Sequence, residues 1–126
     1  MDIEKIKASY REFQQKNAGF DKIAILTREG GIEYADEGFI TADEAKSVMD
    51  AWLTNKPAIE VGGNRFPILK WDELQFASRN TSGMGAIIGC ITKSKLFFVA
   101  FLLPNTNSNL IAATVALNRW SWNIIE

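Results

Sequence analysis

The residue types that carry most enzyme chemistry are nearly absent from this chain. It contains no histidine among its 126 residues, and its one cysteine is Cys90. Without histidine there is no imidazole base for a serine or cysteine nucleophile, and no zinc site that needs an imidazole ligand. A lone cysteine also excludes an internal disulfide and fits a reducing compartment, where a half-buried strand thiol is an ordinary state. We therefore expect a binding protein rather than an enzyme, with no metal and no cofactor.

A glycine cluster imitates a phosphate-binding loop. The glycines are Gly83, Gly85 and Gly89, but the dinucleotide fingerprint needs a third glycine three residues after the second and a helix behind it. A strand-like apolar segment follows Gly85 instead. The spacing therefore predicts a hairpin turn and not a nucleotide site.

Three cations lie on successive predicted strands, at Arg65, Lys70 and Arg79. Their placement allows one basic patch that could bind a partner. The alternative is a solvated sheet edge, where Lys and Arg discourage pairing with a further strand. The residues alone leave both interpretations open.

Two tryptophans, Trp120 and Trp122, lie close to the end of the chain. Trp120 continues the apolar stripe of the last predicted helix, so packing accounts for it. Trp122 falls off that stripe. An exposed tryptophan near a terminus is better explained by a contact surface than by packing.

Overall composition is that of an ordinary folded domain. Hydrophobic residues make up 47% and charged residues 23%, and 14 basic against 15 acidic side chains give a net charge of −1. A chain of this length builds one core, so we expect one domain over residues 1–126. The near-neutral charge gives no bulk attraction to nucleic acid or to membranes. The N-terminus is too charged for a signal peptide and the apolar run 96–103 is far shorter than the ~20 residues of a membrane span, so we expect a cytoplasmic protein.

Hydrophobic periodicity predicts three helices. The first starts at the N-terminus, carries apolar residues at 3-4-3 spacing, and ends before Gly19. The second begins at a capping box formed by Thr41 and Glu44. The third runs from about Leu110 through Trp120 and follows an asparagine-rich segment that offers several N-caps.

The rest of the chain is rich in strand-forming residues. A hairpin over residues 23–26 and 32–35 turns at a Gly-Gly pair, and further strands are expected over residues 58–61, 66–70, 74–79, 86–91 and 96–103. Short links between them favour an antiparallel meander. The predicted class is α+β, with one antiparallel sheet and helices packed on its faces.

The order of these elements and several local motifs resemble profilin, the small actin-monomer-binding protein, over nearly the whole chain. Residues 62–70, Gly-Gly-Asn-Arg-Phe-Pro-Ile-Leu-Lys, look like the family's Gly-Gly-x-Lys-Tyr-x-x-Ile strand entry. Residues 83–98 look like its glycine-rich hairpin, threonine turn and following strand, and residues 101–106 resemble its Tyr-x-x-Pro-x-Thr lead into the last helix. Upstream, residues 42–52 are similar to the second helix, and Tyr34 stands at a family tryptophan position.

The chain departs from the family pattern in three places. The segment between Trp52 and Gly62 is shorter than in familiar eukaryotic profilins. An aromatic pair at the start of the first helix is replaced by Ile3 and Ile6, and a lysine before the threonine turn is replaced by Cys90. The chain is therefore similar to a divergent, archaeal-type profilin.

The resemblance implies a central antiparallel sheet with the two terminal helices on one face and the inner helices on the other. It also implies binding of monomeric actin, which the protein would sequester or deliver and so regulate polymerisation. It assigns the actin contact to the following residues: Arg65, Lys70, Arg79, Cys90, Asn105, Asn107 and Asn109. The same cations make acidic phosphoinositides a further partner.

Profilins also bind proline-rich segments in an aromatic groove between the terminal helices, because a preformed polyproline helix loses little entropy on stacking. The resemblance assigns this groove to the following residues: Ile3, Ile6, Tyr10, Tyr34, Trp120 and Trp122. Aliphatic Ile3 and Ile6 offer no flat stacking face. We therefore expect binding to plain polyproline to be weak.

A second class of protein fits the same element order. Roadblock- and longin-like modules are small α+β proteins that dimerise and assist small GTPases, and fold alone does not separate them from profilin. The Gly-Gly-x-Arg-Phe block and the asparagine-rich segment favour actin. Solution size discriminates the two, since a roadblock-type protein is a dimer and we expect a monomer here.

Overall fold

The secondary structure follows the predicted order. The structure is a computed structural model that describes residues 1–104 and 109–125. The elements within these residues are α1 Ile3–Lys16, β1 Phe20–Leu26, β2 Ile32–Ala35, α2 Ala42–Leu53, β3 Ala58–Val61, β4 Asn64–Trp71, β5 Gln75–Arg79, β6 Ala86–Ile91, β7 Phe97–Leu102 and α3 Leu110–Ser121. β1 begins earlier than predicted because Phe20 pairs with Leu102 of β7, which extends the strand.

The first two helices begin at side chains that cap them. The Asp2 carboxylate accepts a hydrogen bond of 3.1 Å from the Lys5 backbone at the start of α1. The capping box predicted for α2 is confirmed: the Glu44 N–H donates to Thr41 Oγ1 at 3.1 Å, and the Thr41 N–H donates to Glu44 Oε1 at 2.9 Å. Each cap contributes about 1 kcal/mol to helix stability, so short polar side chains fix where these helices start.

The strands form one antiparallel sheet in the order β2-β1-β7-β6-β5-β4-β3. Strands β3 to β7 make the predicted meander, and the β1–β2 hairpin adds to it beside β7. Gly85, in the β5–β6 turn, has φ +100°, and a Cβ there would lie 2.4 Å from the Leu102 carbonyl oxygen. Only glycine fits this position, and the hairpin interpretation of the glycine cluster is confirmed.

Helices cover both faces of the sheet and create two cores. The terminal helices α1 and α3 pack on one face, as the resemblance implied. On the other face α2 packs Trp52 against Phe76 and Phe97, with each pair of ring centroids 4.9 Å apart. The resemblance implied inner helices on this second face, and α2 is the α-helix found there in the described part of the chain. The sheet therefore lies between two helical layers, and its exposed surface is the part that the helices leave uncovered.

Candidate partner-binding surface

The terminal helices leave part of their sheet face uncovered. α3 packs on β6 and β5, so the β4 side chains on this face of the sheet remain accessible. Phe66 belongs to the core under α2, and strand alternation therefore directs Arg65 to the opposite side. Arg79 pairs with Ala86, which belongs to the core under α1 and α3. The Arg79 side chain therefore lies on the same side of the sheet as Arg65. We call this surface the open face and define it by four residues: Arg65, Leu69, Lys70 and Arg79.

A β-bulge in β4 places two neighbouring side chains on the open face. Ile68 pairs with Ser78 and Lys70 pairs with Ala77, so Leu69 is an extra residue opposite β5. Because Ala77 belongs to the core under the terminal helices, Lys70 projects on the open side. Leu69 is 63% exposed, more than any other large hydrophobic side chain in the described residues.

A row of exposed apolar side chains on α3 borders the open face. Ile111, Val115 and Trp122 are spaced by four and seven residues, which puts them on one side of the helix. Their exposed fractions are 52%, 36% and 40%. Trp120, nine residues after Ile111, lies about 180° around the helix at 100° per residue. We call Ile111, Val115 and Trp122 the α3 ridge.

A depression of about 300 Å³ forms where the α3 ridge meets the open face, and it is lined by Leu69, Lys70, Ala77, Arg79, Asn109, Leu110 and Ile111. Asn109 fixes the end of α3 beside it, since its carboxamide oxygen accepts hydrogen bonds of 3.0 and 3.2 Å from the first backbone amides of the helix. Among the described residues that line the depression, none is acidic. Apolar walls with two cations suit an apolar partner surface flanked by carboxylates.

The structure brings together part of the residue set assigned to actin. Lys70, Arg79 and Asn109 line the depression. Arg65 lies on the same open face at the start of β4, opposite Glu60 of β3, whose negative charge reduces the local positive field. Two assigned residues lie outside the described part of the chain: Asn105 and Asn107.

Cys90 is not at the surface, which corrects its assignment to the contact. Its side chain is fully buried, with Sγ 3.1 Å from the Ser121 hydroxyl of α3. Burial raises the pKa of the thiol to about 11, against the lowering effect of hydrogen bonds from Ser121 and Asn118. A protonated, enclosed thiol neither contacts a partner nor reacts.

Two residues assigned to the proline groove are core residues. Ile6 and Tyr10 lie on the buried side of α1, and the Tyr10 hydroxyl donates a 2.7 Å hydrogen bond to the Asp21 carbonyl. These positions offer no groove surface, which corrects their assignment. Ile3, Tyr34 and Trp120 are half-buried around the same core.

The polar groups of the remaining groove residues are engaged within the protein. The Trp120 ring lies 5.3 Å from the Phe98 ring, and its Nε1 donates a 2.9 Å hydrogen bond to the Ser9 hydroxyl. The Tyr34 hydroxyl donates to the Asp36 carboxylate. Partial burial and this hydrogen bond raise the pKa of Tyr34 to about 12, so the hydroxyl stays protonated and keeps donating to Asp36.

Trp122 belongs to the α3 ridge rather than to the groove. It lies on the opposite side of α3 from Trp120, and the Lys93 backbone donates a 2.9 Å hydrogen bond to its carbonyl. Trp122 is exposed, as its position off the apolar stripe predicted. Its part in a contact stays a prediction, and its position away from Trp120 does not support the assignment to the proline groove.

Leu69, Ile111 and Val115, which form most of the apolar part of this surface, were not predicted from the sequence. Leu69 carries no sequence signal, because a bulge depends on how two strands pair. Ile111 and Val115 did carry one, since their four-residue spacing continues to Trp122 on the side of α3 opposite the stripe that ends at Trp120.

In the described residues no group of three or more histidine, cysteine, aspartate or glutamate side chains could hold a metal ion. The same residues include no helix that is both long and apolar enough to cross a membrane.

Comparison with known proteins finds profilins. The chain is 32% identical to Loki profilin-3 of Lokiarchaeum sp. (strain GC14_75) over 110 residues, which cover 86% of this chain and 89% of the relative. No family model matches the sequence. The fold is similar to LokiProfilin2 in its complex with rabbit actin, with a TM-score of 0.80, 17% identity and coverage of 99% of this chain and 100% of that one. It is also similar to Acanthamoeba castellanii profilin IB, with a TM-score of 0.69, 16% identity and coverage of 88% and 89%.

Proposed function

The chain belongs to the profilin family, and we propose that it binds monomeric actin, one to one, through the open face and the α3 ridge. The observation that carries this proposal is family membership together with a solved complex in which a profilin of the same fold holds actin. The alternative, a roadblock- or longin-like dimer that assists small GTPases, has no comparable support.

The surface has the anatomy that a specific protein contact requires. A standard interface buries about 1,600 Å² in total, with an apolar centre and a polar rim. The α3 ridge and Leu69 supply exposed apolar area, and Lys70 and Arg79 flank it. Cations at a rim act mainly on association, because they steer an acidic partner before contact.

The proposed activity is binding and not catalysis. A monomer held on the open face is withdrawn from spontaneous nucleation, and its release or delivery decides which filament end grows. The protein thereby regulates actin polymerisation. It acts in the cytoplasm, where a single buried thiol such as Cys90 is an ordinary feature.

Acidic phosphoinositides are proposed as competitors of actin for the same surface. Arg65, Lys70 and Arg79 all lie on the open face, and acidic headgroups bind such cations. Because the whole chain carries a charge of −1, attraction would come from this local group alone. A lipid bound there would displace actin.

Binding to proline-rich segments is proposed to be weak. The positions of Ile6 and Tyr10 are buried, and the donors of Tyr34 and Trp120 are already engaged within the protein. A polyproline helix gains affinity from flat rings and free donors. The surface that remains for a proline-rich peptide to contact is the half-buried surface of Ile3, Tyr34 and Trp120.

Polymerisation kinetics with fluorescently labelled actin test the proposal. Added protein should lengthen the lag of spontaneous assembly and enlarge the pool of unpolymerised actin in proportion to its concentration. An unchanged lag and an unchanged monomer pool, at saturating protein and with a cognate actin, would contradict it.

A further inference from the structure

We infer that Leu69 and Ile111 together form the apolar anchor of the actin contact, and that they hold the partner while the nearby cations only steer it. This inference rests on the proposed function, because it names the residues that give the same surface its affinity. Neither residue belongs to the set that family resemblance assigns.

The bulge in β4 determines which side chains the strand exposes. In a regular strand the residue after Leu69 would face α2, but the extra residue keeps Lys70 on the open side. The leucine and the lysine are therefore presented side by side. Leu69 is 63% exposed at this point, so its apolar surface is available to a partner.

Leu69 and Ile111 line the same depression. Isolated exposed hydrophobic side chains are common on protein surfaces and need no explanation. Leu69 comes from β4 and Ile111 from α3, and Leu110 and Lys70 line the same depression. One apolar group of a partner placed in the depression would contact both side chains.

Apolar and charged side chains contribute differently to the affinity of such a surface. Exposed ion pairs gain little affinity, since water and salt screen them, and Arg65 is further offset by Glu60 across the strand pair. Apolar side chains that become fully desolvated at the centre of an interface dominate binding instead. Two such side chains, Leu69 and Ile111, and two cations, Lys70 and Arg79, converge at the depression.

A double-mutant cycle measured by titration calorimetry with monomeric actin tests this inference. The chains are the unmodified protein, Leu69→Ala, Ile111→Ala and the double variant. Leu53→Ala is the matched control, because Leu53 is also an exposed leucine, 41% accessible, but it ends α2 on the opposite face of the sheet. Leu69→Gln, which keeps the side-chain length, and a melting curve for each chain establish that the fold is retained.

We expect each single variant to weaken binding about tenfold or more. The fold-loss of affinity in the double variant should be smaller than the product of the two single-variant losses, because both side chains contact one partner group. Leu53→Ala should bind as the unmodified protein does. Affinities of Leu69→Ala and Ile111→Ala within twofold of the control, or two fully independent losses, would overturn the shared anchor while leaving actin binding intact. An unmodified protein that fails to bind would instead refute the proposed function.

Discussion

Alkaline pH should destabilise this protein through Cys90, the thiol that the family resemblance had assigned to the actin contact. The side chain is fully buried, and burial raises its pKa from the ordinary value of 9.0 to about 11. In the unfolded chain the thiol ionises near its ordinary pKa, whereas in the folded protein it stays protonated until higher pH. The unfolded state therefore binds fewer protons between pH 9 and pH 11, and the free energy of unfolding must fall over that range.

The size of the effect follows from the two pKa values. One pKa unit corresponds to about 1.4 kcal/mol, so a thiol whose pKa rises from 9.0 to about 11 contributes about 3 kcal/mol of stability. This contribution is fully present below pH 9, decreases as the pH rises, and is absent above pH 11. A small domain has only 5–15 kcal/mol of total stability, so the loss is easily measured.

Urea denaturation at a series of pH values provides the assay, with Cys90→Ala as the reference chain. Both chains retain Tyr10, whose pKa burial also raises, so the difference between them isolates the thiol. We expect the unmodified protein to lose more stability than Cys90→Ala from pH 8.5 to pH 11. Thiol reagents should label native Cys90 far more slowly than the unfolded chain. Parallel pH profiles, or equally fast labelling of the native protein, would refute the buried position of Cys90.

Two further predictions concern the partner surfaces. Arg65→Glu combined with Lys70→Glu should slow association with actin and change the salt dependence of the association rate. The melting temperature should stay within a few degrees, because both side chains are outside the cores. Unchanged binding would mean that actin does not contact the open face. A proline-rich peptide should bind only weakly, with fluorescence changes traced to Trp120 by comparison with Trp120→Phe. Tight binding would contradict the buried positions of Ile6 and Tyr10, and no response at millimolar peptide would mean that the groove is absent.

Sequence patterns predicted those features of the fold that local chemistry determines. The capping box at Thr41 and Glu44 fixed the start of α2 because two side chains satisfy backbone amides within one turn. The strands followed from short links and strand-forming residues, and the glycine cluster marked a hairpin because Gly85 must take a positive φ. These signals are contained in a few consecutive residues.

Sequence patterns failed where the answer depends on what covers a surface. β6 is apolar on both of its sides because helices cover both faces of the sheet, so its run of residues does not reveal that Cys90 points towards Ser121. The family resemblance assigned Trp122 to the groove together with Trp120, although a helix turns residues two apart to opposite sides. The exposure of Leu69 depends on a bulge, which only the pairing of β4 with β5 reveals.

The most direct test of actin binding at the open face is hydroxyl-radical footprinting of the protein alone and in a one-to-one mixture with monomeric actin. The method reports the accessibility of individual side chains. Bound actin should protect Leu69, Ile111 and Trp122 from oxidation, while Leu53 on α2 and Ile32 on β2, which are also exposed, should oxidise as before. Unchanged oxidation at all of these residues, or protection confined to Leu53 and Ile32, would contradict the account.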